Sequence, residues 1–388
     1  MGFAPGRKNC RRAPESLRSR RHTITQPRLA LVSIGIRRDL LAPLVYFSKF
    51  ELVHFYKKNV YGDLTADDFD STLRGYHSPR DLEQQLVRAQ PTVIQGVEPF
   101  SFYTQPLAWA CVMAARKTHA ALVVPTFENR PLDVKFGKLR AIVLRRVLQF
   151  YFARACLIFA LNNGARENVL QCHVAPHKIV RALWGTWGVD TREFFPHNGR
   201  NTNQSPIVLF TGRLHEEKGV FVLLDAFQAI QHEFPEARLV MAGDGPARGK
   251  LAQEIAQHNI SNVELRGIVK NRDVPALMRQ ADLFCAPSLT TRKWAEQVGM
   301  SALQAMASGL PIVSTRSGAI PEYIPENAGI LVRENDAGAL AQALRELLTH
   351  PERAREMGRR AADYARMQYD AQKNIERAEQ LVMEHCVR

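Results

Sequence analysis

Ile207-Val208-Leu209-Phe210-Thr211-Gly212-Arg213-Leu214-His215-Glu216-Glu217-Lys218-Gly219 is the stretch that decides the fold. The unbroken apolar run Ile207 to Phe210 reads as a strand buried on both faces, which is how strands of a parallel sheet read. Glycine and charge follow at once, and Val220 to Glu233 then has the spacing of a helix. Working outward, the same alternation recurs: strand Arg238 to Ala242, helix Ala247 to His258, strand Val263 to Leu265, helix Val274 to Gln280, strand Leu283 to Cys285, helix Gly299 to Ser308 and strand Pro311 to Ser314, with helices from Ala337 onward. Right-handed crossovers convert such a series into a doubly wound sheet whose ligands lie at the carboxyl ends of its strands.

Upstream of Pro206 the pattern is sparser. Leu29 to Ile34 reads as a strand ending at Gly35, with further strands at Thr92 to Ile94 and Ala121 to Val124 and a helix at Pro106 to Arg116. A chain of 388 residues exceeds one ordinary core, so two α/β units are expected. The predicted division is a basic tail over 1–27, a first Rossmann-like domain over 28–196, a polar linker over 197–205, a second such domain over 206–350, and helices over 351–388.

The net charge of +14 is concentrated early, because Arg7, Lys8, Arg11, Arg12, Arg18, Arg20 and Arg21 are opposed there only by Glu15. That stretch lacks apolar periodicity and reads as disordered. It has no apolar run of the kind a signal peptide needs, and the six cysteines (Cys10, Cys111, Cys156, Cys172, Cys285, Cys386) are scattered. A cytoplasmic protein in a reducing compartment is expected. The most apolar run, Ala141 to Leu161, is interrupted by Arg145, Arg146 and Arg154, so no membrane span is expected. Arg140 to Phe159 reads as one helix on which Lys138, Arg145, Arg146 and Lys135 gather, either as a solvated face or as a peripheral contact with an anionic membrane at its inner face.

The loop after Phe210 places Arg213 and Lys218 five positions apart between a strand and a helix. Gly212 lets backbone approach an anion, Arg213 offers a planar fork, Lys218 a point charge, and the next helix its unpaired amides, which together suit a diphosphate. A capped turn with solvated charges is the plainer reading. Downstream stands Pro287-Ser288, followed by Trp294-Ala295-Glu296-Gln297-Val298-Gly299-Met300-Ser301-Ala302-Leu303-Gln304-Ala305-Met306-Ala307-Ser308-Gly309-Leu310-Pro311.

This second stretch resembles the donor-site signature of retaining glycosyltransferases of family 4: Glu, seven residues, Glu, then Ala-Met-Ala-x-Gly-x-Pro. Ala242-Gly243-Asp244-Gly245-Pro246, Ala281-Asp282 and Ser317-Gly318-x-x-Pro321-Glu322 extend the resemblance over Pro206 to Val332. It implies a GT-B architecture, in which two Rossmann-like doubly wound domains face a central cleft, and helices after Pro351 that pack back on the first domain. It implies transfer, with retention and without a metal or other cofactor, from a nucleoside diphosphate sugar to a glycan, a lipid or a small molecule.

In that reading Glu296 accepts hydrogen bonds from the sugar, the amides of Val298, Gly299, Met300 and Ser301 receive the distal phosphate, and Arg213 and Lys218 neutralise the leaving group. Gly212, Gly243 and Asp244 line the donor site, while Ile268 and Val269 contact the base. Gln304 stands where the family carries its second Glu; its amide oxygen can accept a hydrogen bond from a ribose hydroxyl but carries no charge, and the plainer reading is a polar residue on a mostly apolar helix. Glu128, in Thr126-Phe127-Glu128-Asn129-Arg130 after strand Ala121 to Val124, either faces the cleft near the reacting carbon or has a structural or solvated role, and the same two readings hold for Glu98 in Gly96-Val97-Glu98. Gly188-Val189-Asp190 resembles the segment before the family's linker.

Two patterns imitate other sites. Gly243-x-Gly245-x3-Gly249 mimics a dinucleotide fingerprint, but Glu264 falls inside a strand rather than at its end. Asp68-Phe69-Asp70 mimics a metal site without a preceding apolar strand. A nucleotide-sugar-binding protein without turnover is one rival, motivated by Gln304, and a nucleic-acid-binding protein is another, motivated by charge. No nucleic-acid module is present, so no nucleic-acid partner is expected.

Overall fold

The computed structural model describes residues 26–59, 64, 71–197 and 205–387. Most of the basic tail, Cys10, Asp68-Phe69-Asp70 and most of the linker lie outside them. The first sheet contains β1 (Arg28–Ile36), β2 (Glu51–Asn59), β3 (Leu73–Gly75), β4 (Val93–Gln95), β5 (Ala121–Thr126), β6 (Ala155–Ala160) and β7 (Ile179–Arg181), in the order β3-β2-β1-β4-β5-β6-β7. The second contains β8 (Ile207–Thr211), β9 (Arg238–Ala242), β10 (Val263–Gly267), β11 (Leu283–Ala286), β12 (Ile312–Thr315) and β13 (Gly329–Val332), in the order β10-β9-β8-β11-β12-β13. Every ladder between these strands is parallel. Each sheet reverses its order at its first strand, and a crevice therefore opens at the carboxyl ends of β1 and β4 and of β8 and β11.

The burial explains why the apolar runs are unbroken. Leu29, Ala30, Leu31 and Val32 of β1 are all buried because helices cover both faces of the sheet. One face packs on helices Pro79–Ala89, Gln105–Thr118 and Lys138–Phe152, and the other on Trp184, Trp187 and the final helix Ala371–Cys386. That final helix is tied to the first domain by Glu379, whose Oε1 accepts from the Lys49 amide at 2.8 Å. Helix Pro351–Gln368 instead joins the core of the second domain through Ala361 and Ala365.

Between these two helices the chain runs beside the other interdomain passage. The Val189 amide donates to the Tyr369 carbonyl at 2.7 Å, and the Ala371 amide donates to that of Val189 at 2.9 Å. Gly188 has φ +97, and a Cβ there would run into the Tyr369 carbonyl oxygen. Glycine fits because it has no such atom.

Several expectations change. β1 continues through Gly35, which pairs with Lys58, so Gly35 does not open a loop. The helix expected over Arg140 to Phe159 is Lys138–Phe152, and Ala155–Ala160 is β6 at the side of β5. Its cations also diverge: Lys135 pairs with Glu128, and Arg145 donates to Gln171 at 2.7 Å. Cys156 and Cys386 are disulfide-bonded across 230 residues, joining β6 to the final helix, against the expectation of scattered thiols in a reducing compartment. Sequence spacing carried no trace of this pairing because only the fold brings the two residues together. Cys111, Cys172 and Cys285 are free and buried. No helix of the described residues is long and apolar enough to cross a membrane.

Candidate active site

Three loops at the carboxyl ends of β8, β9 and β11 are joined by backbone hydrogen bonds. The Gly212 amide donates to Ala242 at 3.0 Å, the Leu214 amide to Asp244 at 3.0 Å, and the Leu289 amide to Glu217 at 2.8 Å. Gly219 makes the last approach possible. It has φ +68, and a Cβ would overlap the Pro287 carbonyl oxygen. A short turn over Glu216–Lys218 thereby delivers Lys218 to the loop that follows β11.

There the Lys218 Nζ lies 2.8 Å from Glu296 Oε2, and the Ser288 hydroxyl donates to the same oxygen at 2.8 Å. The ammonium also sits 4.6 Å from the centre of the Trp294 ring. Both charged side chains are largely buried, which keeps water from screening the pair fully. An ammonium has three donors, and Glu296 occupies one. Arg213 is turned away, 51% exposed, with Nη2 2.8 Å from Glu217 Oε1.

Gly299, at φ +75, precedes helix Met300–Ala307, and the amides of Val298 to Ser301 open it. Gln304 lines a small crevice with Arg38, Asp39, Asp190 and Asn271. In the loop after β10, Ile268 is 64% exposed while Val269 packs partly against the domain core. Gly243 donates to the Gly267 carbonyl at 2.8 Å, and Asp244 Oδ1 accepts from the Gly245 amide at 2.8 Å.

The first domain supplies the opposite wall. Asn129 Nδ2 donates to the Glu296 carbonyl at 2.7 Å, and Asn162 Nδ2 donates to that of Gln297 at 3.1 Å. Arg181 pairs with Glu322 at 2.6 Å, and Arg292 Nε donates to the Val134 carbonyl at 3.1 Å. Glu128 does not present a free carboxylate to the cleft. It is 5% exposed, its Oε1 accepts from the Arg130 amide at 3.0 Å, and its Oε2 pairs with Lys135. Both oxygens are therefore committed to their own loop. Beneath this loop Glu98 Oε1 accepts from Thr126 Oγ1 at 2.9 Å, from the Phe127 amide at 2.6 Å and from the Glu128 amide at 2.8 Å. Burial lifts the Glu98 carboxyl to about 7 despite these donors.

Ser288, Trp294, Asn129 and Asn162 carry no site signal of their own in the sequence. Ser288 and Trp294 lie in the quoted stretch, but neither forms part of the spacing pattern. Asn162 is the N-cap of helix Asn163–Leu170, a local signal that does not foretell its second role across the cleft.

Residues 191–364 match the family described as glycosyl transferases group 1. This segment is a glycosyl transferases group 1 domain. Its boundaries enclose the second sheet and every loop of the Lys218–Glu296 cluster. Among relatives of the chain, one component of the phosphatidylinositol N-acetylglucosaminyltransferase of Arabidopsis thaliana is 27% identical over 68% of the chain and 56% of the relative. The sulfoquinovosyl transferase SQD2 of Arabidopsis thaliana is 30% identical over 76% of the chain and 56% of the relative. The chain thus spans about half the length of these curated relatives. A crystal structure of Anabaena HepE in complex with UDP and glucose superposes with a TM-score of 0.72, covering 92% of this chain and 99% of that one at 15% identity. The fold of the chain is GT-B: two Rossmann-like, doubly wound domains about a cleft.

Proposed function

We propose that the chain is a retaining glycosyltransferase that moves a hexosyl group from a nucleoside diphosphate sugar to a glycan, lipid or small-molecule acceptor, with no metal required. The observation that carries this reading is the Lys218–Glu296 pair, buried where the loops of β8 and β11 meet and closed over by Asn129. Departure of a diphosphate leaves an oxocarbenium-like sugar and concentrates negative charge on the leaving group. Preorganised cations and amides stabilise such charge without reorganising.

Lys218 holds the diphosphate with its remaining donors, and Arg213 swings from Glu217 to join it. The amides of Val298 to Ser301 take the distal phosphate at the positive end of their helix. Glu296 accepts from sugar hydroxyls through the oxygen that Lys218 does not occupy. Gln304 faces the ribose, Ile268 and Val269 the base, and Gly212, Gly243 and Asp244 form the floor. Glu128 is assigned a structural part here, holding the loop from which Asn129 reaches the donor side.

A thermal-shift screen with UDP, GDP and ADP tests donor binding. One diphosphate at about 100 times its dissociation constant should add about 2.7 kcal/mol to stability. If none of the three raises the melting temperature, the reading fails. Turnover in EDTA should equal turnover without it, and recovery of lost activity by manganese or magnesium would overturn metal independence.

A further inference from the structure

Helix Lys138–Phe152 has two apolar faces. Ala141, Leu144, Leu148, Tyr151 and Phe152 are buried in the first domain. On the opposite side Leu139, Ile142, Val143 and Phe150 are 81%, 54%, 65% and 62% exposed. With Val147, 37% exposed, between Val143 and Phe150, steps of three and four residues put them on one stripe, where a surface helix ordinarily carries polar side chains. The helix has four cations (Lys138, Arg140, Arg145, Arg146) and no acidic residue. Arg145 is engaged by Gln171 and lies 3.5 Å from Asp133, whereas Lys138, Arg140 and Arg146 are exposed around the stripe.

Position adds a second observation. The chain enters this helix directly from the cleft loop, through the Glu128–Lys135 pair and through Val134, whose carbonyl accepts from Arg292 of the donor side at 3.1 Å. The exposed stripe therefore begins at the rim of the cleft. A second copy docking on the same face would set these cations against one another with no acid to answer them. A bilayer of anionic lipid answers both features, because apolar side chains enter the acyl boundary while Lys and Arg snorkel to the phosphates.

We propose that the outward face of helix Lys138–Phe152 docks on an anionic lipid bilayer and lays the cleft rim against the headgroups, so that the acceptor is presented from the membrane. The docking stands on the helix alone, and only the clause about the acceptor rests on the glycosyltransferase reading.

The test sediments the full chain with vesicles of phosphatidylcholine, alone or mixed with phosphatidylglycerol. The protein should partition to the anionic vesicles and leave them as salt rises. The double substitution Val143→Ser and Phe150→Ser should weaken partitioning at least about tenfold, and Arg146→Gln about fivefold. Both variants should keep the parent's melting temperature and its response to nucleoside diphosphates, which separates failure of docking from failure of the proposed function. Equal partitioning to neutral and anionic vesicles overturns the proposal. So does undiminished binding by the double variant, which would move the contact to another part such as the basic stretch before Arg28. A dimer in light scattering that the double variant abolishes would assign the face to a second copy and likewise overturn it.

Discussion

Two lysine–carboxylate pairs stand on the two walls of the cleft, and they are built in opposite ways. Lys135 and Glu128 are seven residues apart and close a single loop of the first domain. Lys218 and Glu296 are separated by 78 residues and meet only because two strand-end loops are pressed together at Gly219 and Pro287. The local pair shapes its own loop and sends Asn129 across the cleft. The long-range pair is the proposed site, with a cation whose other two donors are not taken by Glu296. A charged pair at short spacing is weak evidence of function; one assembled from distant strand ends, in the crevice where the sheet order reverses, is stronger evidence.

The largest effect should come from breaking the long-range assembly. Gly219→Ala places a Cβ on the Pro287 carbonyl at a left-handed φ, and should destabilise the fold by about 3 kcal/mol in urea unfolding. An unchanged midpoint would show that the loops do not need this approach. Next, Lys218→Met should weaken nucleoside diphosphate binding about tenfold, the scale of one charge-assisted hydrogen bond, while Lys135→Met leaves it unchanged. Calorimetry reads both, and equal losses would erase the distinction between the pairs.

Glu98 sharpens the account of the first domain's wall. Its pKa is raised from 4.5 to about 7 by burial. The folded state thus binds more protons than the unfolded one in that window, and stability falls as pH rises through it, by up to about 1.4 kcal/mol per pH unit. His54, lowered by burial to about 4, acts in the opposite sense, costing stability as pH falls below about 6.5. The readout is therefore the difference between parent and Glu98→Gln, measured from pH 4.5 to 7, which should narrow toward low pH. A difference that does not vary with pH would contradict the raised pKa. The smallest effect is at Gln304: Gln304→Ala should cost about 1 kcal/mol of nucleotide binding, and Gln304→Glu should keep or strengthen it.

The same contrast governs what could be read in advance. In the second domain buried strands alternate with amphipathic helices, so helix Val274–Gln280 and the strands from β8 to β12 were legible to within a residue or two. In the first domain β2 carries Lys57 and Lys58 at its exposed end and reads as mixed sequence. β6 reads as a continuation of the preceding helix because no glycine or proline separates Phe152 from Ala155. The outward apolar stripe of that helix was hidden for a related reason: an apolar residue looks the same in sequence on either face. The residue types of the Lys218–Glu296 cluster are legible as a motif, but Ser288 and Asn129 join it through tertiary proximity, which has no spacing to recognise.

Release of nucleoside diphosphate from a matched nucleotide sugar, compared between the parent and Glu296→Gln, tests the central claim most directly. The neutral amide keeps the shape but gives up the charge held by Lys218 and Ser288 and the stronger acceptor for sugar hydroxyls. The parent should turn over, and the variant should do so at least about tenfold more slowly while binding the free diphosphate with little change. Turnover by Glu296→Gln at the parent's rate would contradict the placement of the reacting sugar at the Lys218–Glu296 pair.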